Sequence, residues 1–244
     1  KSTINLSSFR GTIFDRRNTP LAVSFRKPSI AVNPKVFAPT KTEATQLSKA
    51  LNISIRKIKN TAKKNSFFSW LKRKASHKEW EKVKALNVKG AYKITEPSRF
   101  YPQGSFAAHL LGFVGTDNTG LMGLEKVFEN KIAGTSESAY RLKDARGQLI
   151  FLSSEAANPE KMGFNHFLTI DHVIQEITEK TLYKWTKLSK SKKSFAIVID
   201  PHTGRILAVA NQPSFNPNKL HSLKIKNTQN LAFTSLFEPG SVTK

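Results

Sequence analysis

A change of hydrophobic period most constrains what this chain can fold into. From Arg10 to Pro34 the stretch RGTIFDRRNTPLAVSFRKPSIAVNP sets Ile13, Leu21, Val23, Ile30 and Val32 among polar residues, the rhythm of extended segments folded about a turn. The rhythm then becomes helical. Thr40 and Glu43 have capping-box spacing and precede Leu47, Ala50 and Leu51, which predicts a helix over 41–51, with a second short one over 54–64. Ser76 and Glu79 repeat the signal before Trp80, Val83 and Leu86, and Gly90 is expected to close that helix. Strands near 67–73 and 91–96 flank it. Residues 40–96 thus read as a small α/β lobe inserted in a β-rich frame, and the fold class as α+β.

Further on, glycines at 112, 115, 120, 123 and 134 are too scattered for a phosphate-binding loop and read as turn residues. In HFLTIDHVIQEITEKTLYKWTKL a strand ends at Ile170 and Asp171 caps a long helix. Ile174, Ile177, Thr181, Leu182, Trp185 and Leu188 form its expected apolar face. Past the lysine-rich Lys190–Lys193, SFAIVID and RILAVANQ are two strands joined through Pro201, His202, Thr203 and Gly204. This helix and hairpin open a second domain.

The 244 residues, 39% hydrophobic, suffice for a buried core, and no apolar run approaches the roughly 18 residues of a membrane span. With no cysteine there is neither a disulfide framework nor a thiol nucleophile, and the six histidines lack metal-ligand spacing, so neither metal nor cofactor is expected. The net charge of +23 predicts attraction to polyanions. Between Arg56 and Lys93 thirteen Lys or Arg face only Glu79 and Glu81, concentrating nearly half of that charge in the lobe. Its aromatics Phe67, Phe68, Trp70 and Trp80 fit a strand and a helix face, not an RNA-binding sheet, so nucleic acid is not an expected partner. Lipid head groups or anionic wall polymers satisfy the same charge.

The last eight residues, FEPGSVTK, hold Ser241 and Lys244 one helical turn apart. A serine hydroxyl attacks only when a base takes its proton, and a lysine amine is that base only where burial or nearby cations lower its pKa. The pair is chemistry only inside a pocket, and S-x-x-K alone is a short motif.

Taken in order, these stretches resemble the class B penicillin-binding proteins across essentially the whole chain. RGTIFDR with PLAVS resembles that family's opening motif and RFYPQGSFAAHLLGFVG its second; GLMGLEKVFENKIAG with RLKDARG resembles its third. LTIDHVIQE and IVIDPHTGRILAVANQPSFNPN resemble the entry to the transpeptidase domain, and FEPGSVTK the active-site serine motif, with the division-type branch nearer than the elongation-type. The resemblance implies a pedestal domain over 1–165 carrying the inserted lobe, then the first edge of a transpeptidase over 166–244. It implies that Ser241 is the nucleophile and Lys244 the base of a D,D-transpeptidase acting on peptidoglycan stem peptides and trapped by β-lactam antibiotics. It also implies a place at the periplasmic face of a bacterial inner membrane, an N-terminal anchor ahead of Lys1, and partners in a membrane glycosyltransferase and other division proteins. The family's later motifs are expected beyond Lys244, which would leave this stretch inactive alone.

Arg10, Gly11, Asp15, Arg16, Arg99, Gly123, Glu125, Asp144 and Gly147 fall in the pedestal motifs. Their charges read as a scaffold whose opposite signs join segments distant in sequence, with Glu125 expected to meet Arg10 or Arg99. Asn18 stands where the family has glycine and tolerates the same left-handed turn. Ser214-Phe215-Asn216 and His202-Thr203-Gly204 imitate the later catalytic motifs but precede Ser241, the wrong order, and read as loop and turn.

Overall fold

The computed structural model describes residues 2–6, 8–135, 137–143, 149–152 and 162–236. Both capping boxes form. Thr40 and Ser76 accept from the N–H groups of Glu43 and Glu79, whose carboxylates accept from the backbone of Thr40 and Ser76, and these start α1 (Lys41–Leu51) and α3 (His77–Ala85). Between them α2 (Ile55–Ala62) begins on the Ser54 hydroxyl. Gly90 does not close α3: Asn87, with φ 45°, takes the left-handed position just past the cap, and Gly90 instead turns the chain into the next strand. An asparagine nearer the helix tolerates that conformation and intercepts the role.

The strands are β1 (Ser2–Leu6), β2 (Ile13–Phe14), β3 (Pro20–Val32), β4 (Ser69–Lys72), β5 (Ala91–Phe100), β6 (Glu137–Lys143), β7 (Leu149–Leu152), β8 (His166–Phe167), β9 (Ser194–Ile199) and β10 (Ile206–Gln212). β3 is the spine. It pairs antiparallel with β5 from Val23 opposite Phe100 to Val32 opposite Ala91, with β4 along its far end and with β2 along its near end. β5 runs past the expected Glu96 to Phe100 because this ladder continues. β8 joins parallel to β2, Ile13 opposite His166. Separate sheets are β1-β6-β7 and the β9-β10 hairpin.

Two apolar cores flank the spine. In the lobe, Ile30 and Val32 of β3 pack with Leu47, Leu51, Ile58, Leu71 and Val83 from the surrounding helices and β4. At the other end, Ile13, Leu21, Tyr101, Phe106, Leu111 and Ile132 form the second core, beside the short helices α4 (Ala108–Leu111), α5 (Gly123–Val127) and α6 (Glu129–Ile132). Phe68 and Trp70 are half-buried and pack on Ala31 and Ile94, while the Arg73 guanidinium lies 5.1 Å from the Trp70 ring centre.

Asp171 caps α7 (His172–Leu188), its carboxylate accepting from Val173 and Ile174 N–H. The face that α7 buries is partly polar. Gln175 is fully buried, its amide donating to Val209 O at 2.8 Å and accepting from Val209 N at 2.7 Å, which fastens the helix to β10. Of the expected apolar face, Ile177, Trp185 and Leu188 are about 60% exposed among the described residues. A further short helix is α8 (Leu231–Thr234). No helix among the described residues is long and apolar enough to cross a membrane.

Candidate functional site

Four charged side chains from three distant segments, Arg10, Arg99, Glu125 and Glu129, converge in one buried cluster. The Arg10 guanidinium, with no exposed side-chain surface, donates through Nε and Nη2 to Glu125 Oε2, each at 2.8 Å, and through Nη2 to the Glu125 carbonyl at 2.9 Å. Arg99 holds the other oxygen, its Nε 2.6 Å from Oε1, and its Nη1 donates to Gly11 O at 2.8 Å. The remaining Arg10 nitrogen reaches Asn118 O at 2.9 Å and Glu129 Oε2 at 2.8 Å. Two guanidinium groups are thus balanced by two carboxylates. Glu129, four residues after Glu125, supplies a neutralising charge that sequence reasoning overlooked. Tyr101 OH lies 3.4 Å from Glu125 Oε1, and burial together with that negative charge pushes the phenol well above its ordinary pKa, so it is a neutral donor.

Glycines make the convergence sterically possible. A Cβ on Gly11 would lie 2.0 Å from Phe164 O, so only glycine lets the chain beside Arg10 run that close to the segment entering β8. Gly123, with φ 59°, starts α5 against the backbone of Leu110 and Gly112, where a Cβ would come within 2.6 Å of Leu110 O. This seats Glu125 two residues later.

Asp15 has a different role from the one expected. It makes no cross-segment ion pair among the described residues. Its Oδ1 accepts from Arg17 N at 2.8 Å and Thr19 N at 2.7 Å, closing the turn in which Asn18 adopts φ 65°. A carboxylate short enough to bond its own turn does so before a distant arginine can compete. Arg16 instead faces the second segment: its N–H donates to Ile170 O at 3.0 Å, and its guanidinium lies 4.0 Å from Asp171, with Arg17 at 3.2 Å. Burial raises the Asp171 carboxyl, but the N–H groups of Ile174 and Val173 and the charges of Arg17 and Arg16 outweigh it and hold the pKa below the usual range.

Ser241, Lys244, Asp144 and Gly147 lie outside the described residues. The two imitations of later motifs have structural positions. His202, Thr203 and Gly204 form the exposed turn of the β9-β10 hairpin, bonded by Asp200, and Phe215 is buried edge-on against His109 and Phe113. Among the described residues no group of three His, Cys, Asp or Glu could hold a metal ion.

The chain thus combines a long β3-β5 ladder bearing a helical lobe, a buried arginine–glutamate clamp, and a capped helix followed by a hairpin. The penicillin-binding protein dimerisation domain matches residues 5–165 and the penicillin-binding protein transpeptidase domain matches 194–244. The chain belongs to the class B penicillin-binding proteins. It is 34% identical over 243 residues to the peptidoglycan D,D-transpeptidase FtsI of Buchnera aphidicola, covering 96% of this chain and 42% of that protein. Against stage V sporulation protein D of Bacillus subtilis it is 35% identical, covering 96% of this chain and 37% of that one. The chain therefore spans about two-fifths of the length of these relatives. Its fold is similar to that of penicillin-binding protein 2X from Streptococcus thermophilus, with a TM-score of 0.60 at 23% identity over 90% of this chain and 36% of that one. A peptidoglycan synthetase from Bifidobacterium adolescentis gives the same TM-score at 22% identity, over 98% of this chain and 48% of that one.

Proposed function

We propose that the full-length protein is a D,D-transpeptidase of septal peptidoglycan synthesis, with residues 1–165 as its pedestal and 166–244 as the start of its catalytic domain. The observation that carries this reading is the identity to FtsI, which runs over 96% of the chain, together with a transpeptidase match that reaches the S-x-x-K at Ser241. In this reading the Lys244 amine takes the proton from Ser241 Oγ, and Oγ attacks the penultimate D-alanine carbonyl of a stem peptide. The C–N bond breaks, the proton passes to the departing D-alanine amine, and an acyl-enzyme remains. An amine of a neighbouring stem then displaces Ser241 and forms the cross-link. A β-lactam follows the first step, but its ring-opened acyl group leaves slowly.

The reading places the protein at the periplasmic face of a bacterial inner membrane, with a membrane glycosyltransferase and division proteins as partners. The pedestal as their docking module is a compatible second reading. It is favoured by Val127, Phe164 and Phe167, which are 73%, 75% and 64% exposed.

The test is covalent labelling of the full-length gene product with fluorescent penicillin. Labelling is expected in the wild type and lost in Ser241→Ala. A label that survives that substitution overturns the assignment. Depletion in growing cells is expected to give filaments; rounded cells would indicate the elongation role instead.

A further inference from the structure

A cavity of about 340 Å³ opens where the lobe, the β3-β5 ladder and the segment around Asn218 meet. That volume is within the range that holds small ligands. Its lining includes Phe25, Phe100, Lys27, Lys74, Asn218 and His221, and no lining residue is Asp or Glu. The nearby carboxylates are committed elsewhere. Glu96 lies across the ladder from Lys27 but accepts from Ser29 and from Arg73 Nη2 at 2.6 Å, and Asp117 pairs with Arg73 Nη1.

Lys74 is held in place without an ion pair among the described residues. Its backbone sits at φ 49° and its N–H donates to Ser29 Oγ at 2.7 Å, so the side chain leaves from a pinned turn. Among the described residues the ammonium's one hydrogen bond is to the Gly115 carbonyl, at 3.4 Å. Burial, with Glu96 and Asp117 opposing it from a distance and Arg73 and Lys27 reinforcing it, brings this amine down to about 8. Among the described residues neither Lys27 nor His221 has an ion pair. An anion entering here meets two lysines that repel one another in its absence.

The walls add a second requirement. Phe25 and Phe100 stack edge-to-face at 5.8 Å and remain 37% and 40% exposed, with Lys27 Nζ 5.6 Å from the Phe25 ring centre. A bare inorganic anion would leave both rings uncovered. We propose that this cleft binds the free C-terminal carboxylate of a short peptide, the carboxylate between Lys74 and Lys27 and an apolar side chain against Phe25 and Phe100. The proposal does not rest on the transpeptidase reading.

The test is calorimetric titration of the purified protein with N-acetyl-phenylalanyl-alanine, with its C-terminal amide, and with inorganic phosphate. The acid is expected to bind saturably. The amide is expected to bind about tenfold more weakly, as is the acid to Lys74→Met, the cost of one charged hydrogen bond. Equal binding of acid and amide, tighter binding of phosphate than of the acid, or undiminished binding to Lys74→Met overturns the proposal. If Lys74→Met does not fold, Lys27→Met is measured instead, and full retention of acid binding there overturns it equally.

Discussion

Asn218 and the backbone of Tyr101 exchange two hydrogen bonds: Tyr101 N donates to Asn218 Oδ1 at 3.0 Å, and Asn218 Nδ2 donates to Tyr101 O at 2.8 Å. A side-chain amide with both a donor and an acceptor continues the edge of β5 as another strand would. This pair joins the end of the β3-β5 ladder to a segment 117 residues later, just beyond β10. Asn218→Ala is expected to cost about 1–2 kcal/mol, two ordinary hydrogen bonds at a partly exposed site. Thermal melting measures the loss, and limited proteolysis is expected to cut faster between residues 213 and 236. A variant with unchanged melting and unchanged cleavage would show that the latch contributes nothing.

The clamp predicts a larger effect. Glu125 is fully buried and accepts from both Arg10 and Arg99, so Glu125→Ala leaves two guanidinium groups in an apolar interior with Glu129 as their remaining carboxylate. Breaking a buried pair from one side costs about 3–5 kcal/mol. Denaturant unfolding is expected to show a loss of that size, with Glu129→Ala milder because that side chain is 29% exposed. Equal losses for the two would mean that Glu125 is not the centre of the network.

Lys74 predicts a dependence on pH. Its amine titrates at about 8 in the folded chain against an ordinary 10.5. Between those values the unfolded chain carries a proton that the folded chain has released, so stability gained from this residue rises with pH across the window, and below it the cost of burying the charge is complete. Lys74→Met removes the cost while keeping the backbone conformation. The variant is therefore expected to melt above the wild type at pH 7, and the gap to close as the pH approaches 10.5. A gap that stays constant across the window would place the effect in packing instead of protonation.

The elements legible in the sequence are those fixed by neighbours. Thr40 with Glu43, Ser76 with Glu79, and Asp171 each bond N–H groups within three residues, so three helix starts could be read from spacing alone. Asn18, marked by the resemblance as standing at a glycine position, takes the left-handed turn that Asp15 closes locally. The parallel pairing of β2 with β8 spans some 150 residues and depends on Gly11 passing under Phe164, which no local pattern signals. Ala107, in left-handed backbone at φ 48° and held by a 2.7 Å bond from its N–H to Glu179, carries no glycine or asparagine to announce it. Charge complementarity pointed to Glu125 and its arginines. It could not separate Asp15, which spends its carboxylate on its own turn, from a true cross-link.

The basic lobe carries the last prediction. Arg56, Lys57, Lys59 and Lys63 are exposed on or beside α2 and make no ion pair among the described residues. Lys72 differs: its ammonium lies 2.5 Å from Glu79 and also donates to Leu51 O, tying α1 to the capping box of α3. Exposed unpaired charges contribute little to stability, so changing the first four to Gln together is expected to leave the unfolding free energy within about 0.5 kcal/mol. Their summed field is what changes, so adsorption to vesicles containing anionic lipid should weaken, by at most about 1 kcal/mol per residue near the surface, and the loss should shrink as salt is raised. Lys72→Gln alone is expected to do the reverse, lowering the melting temperature while leaving adsorption nearly unchanged. A quadruple variant that unfolds, or a Lys72→Gln that does not destabilise, would mean that the roles of field and scaffold are wrongly divided within the lobe.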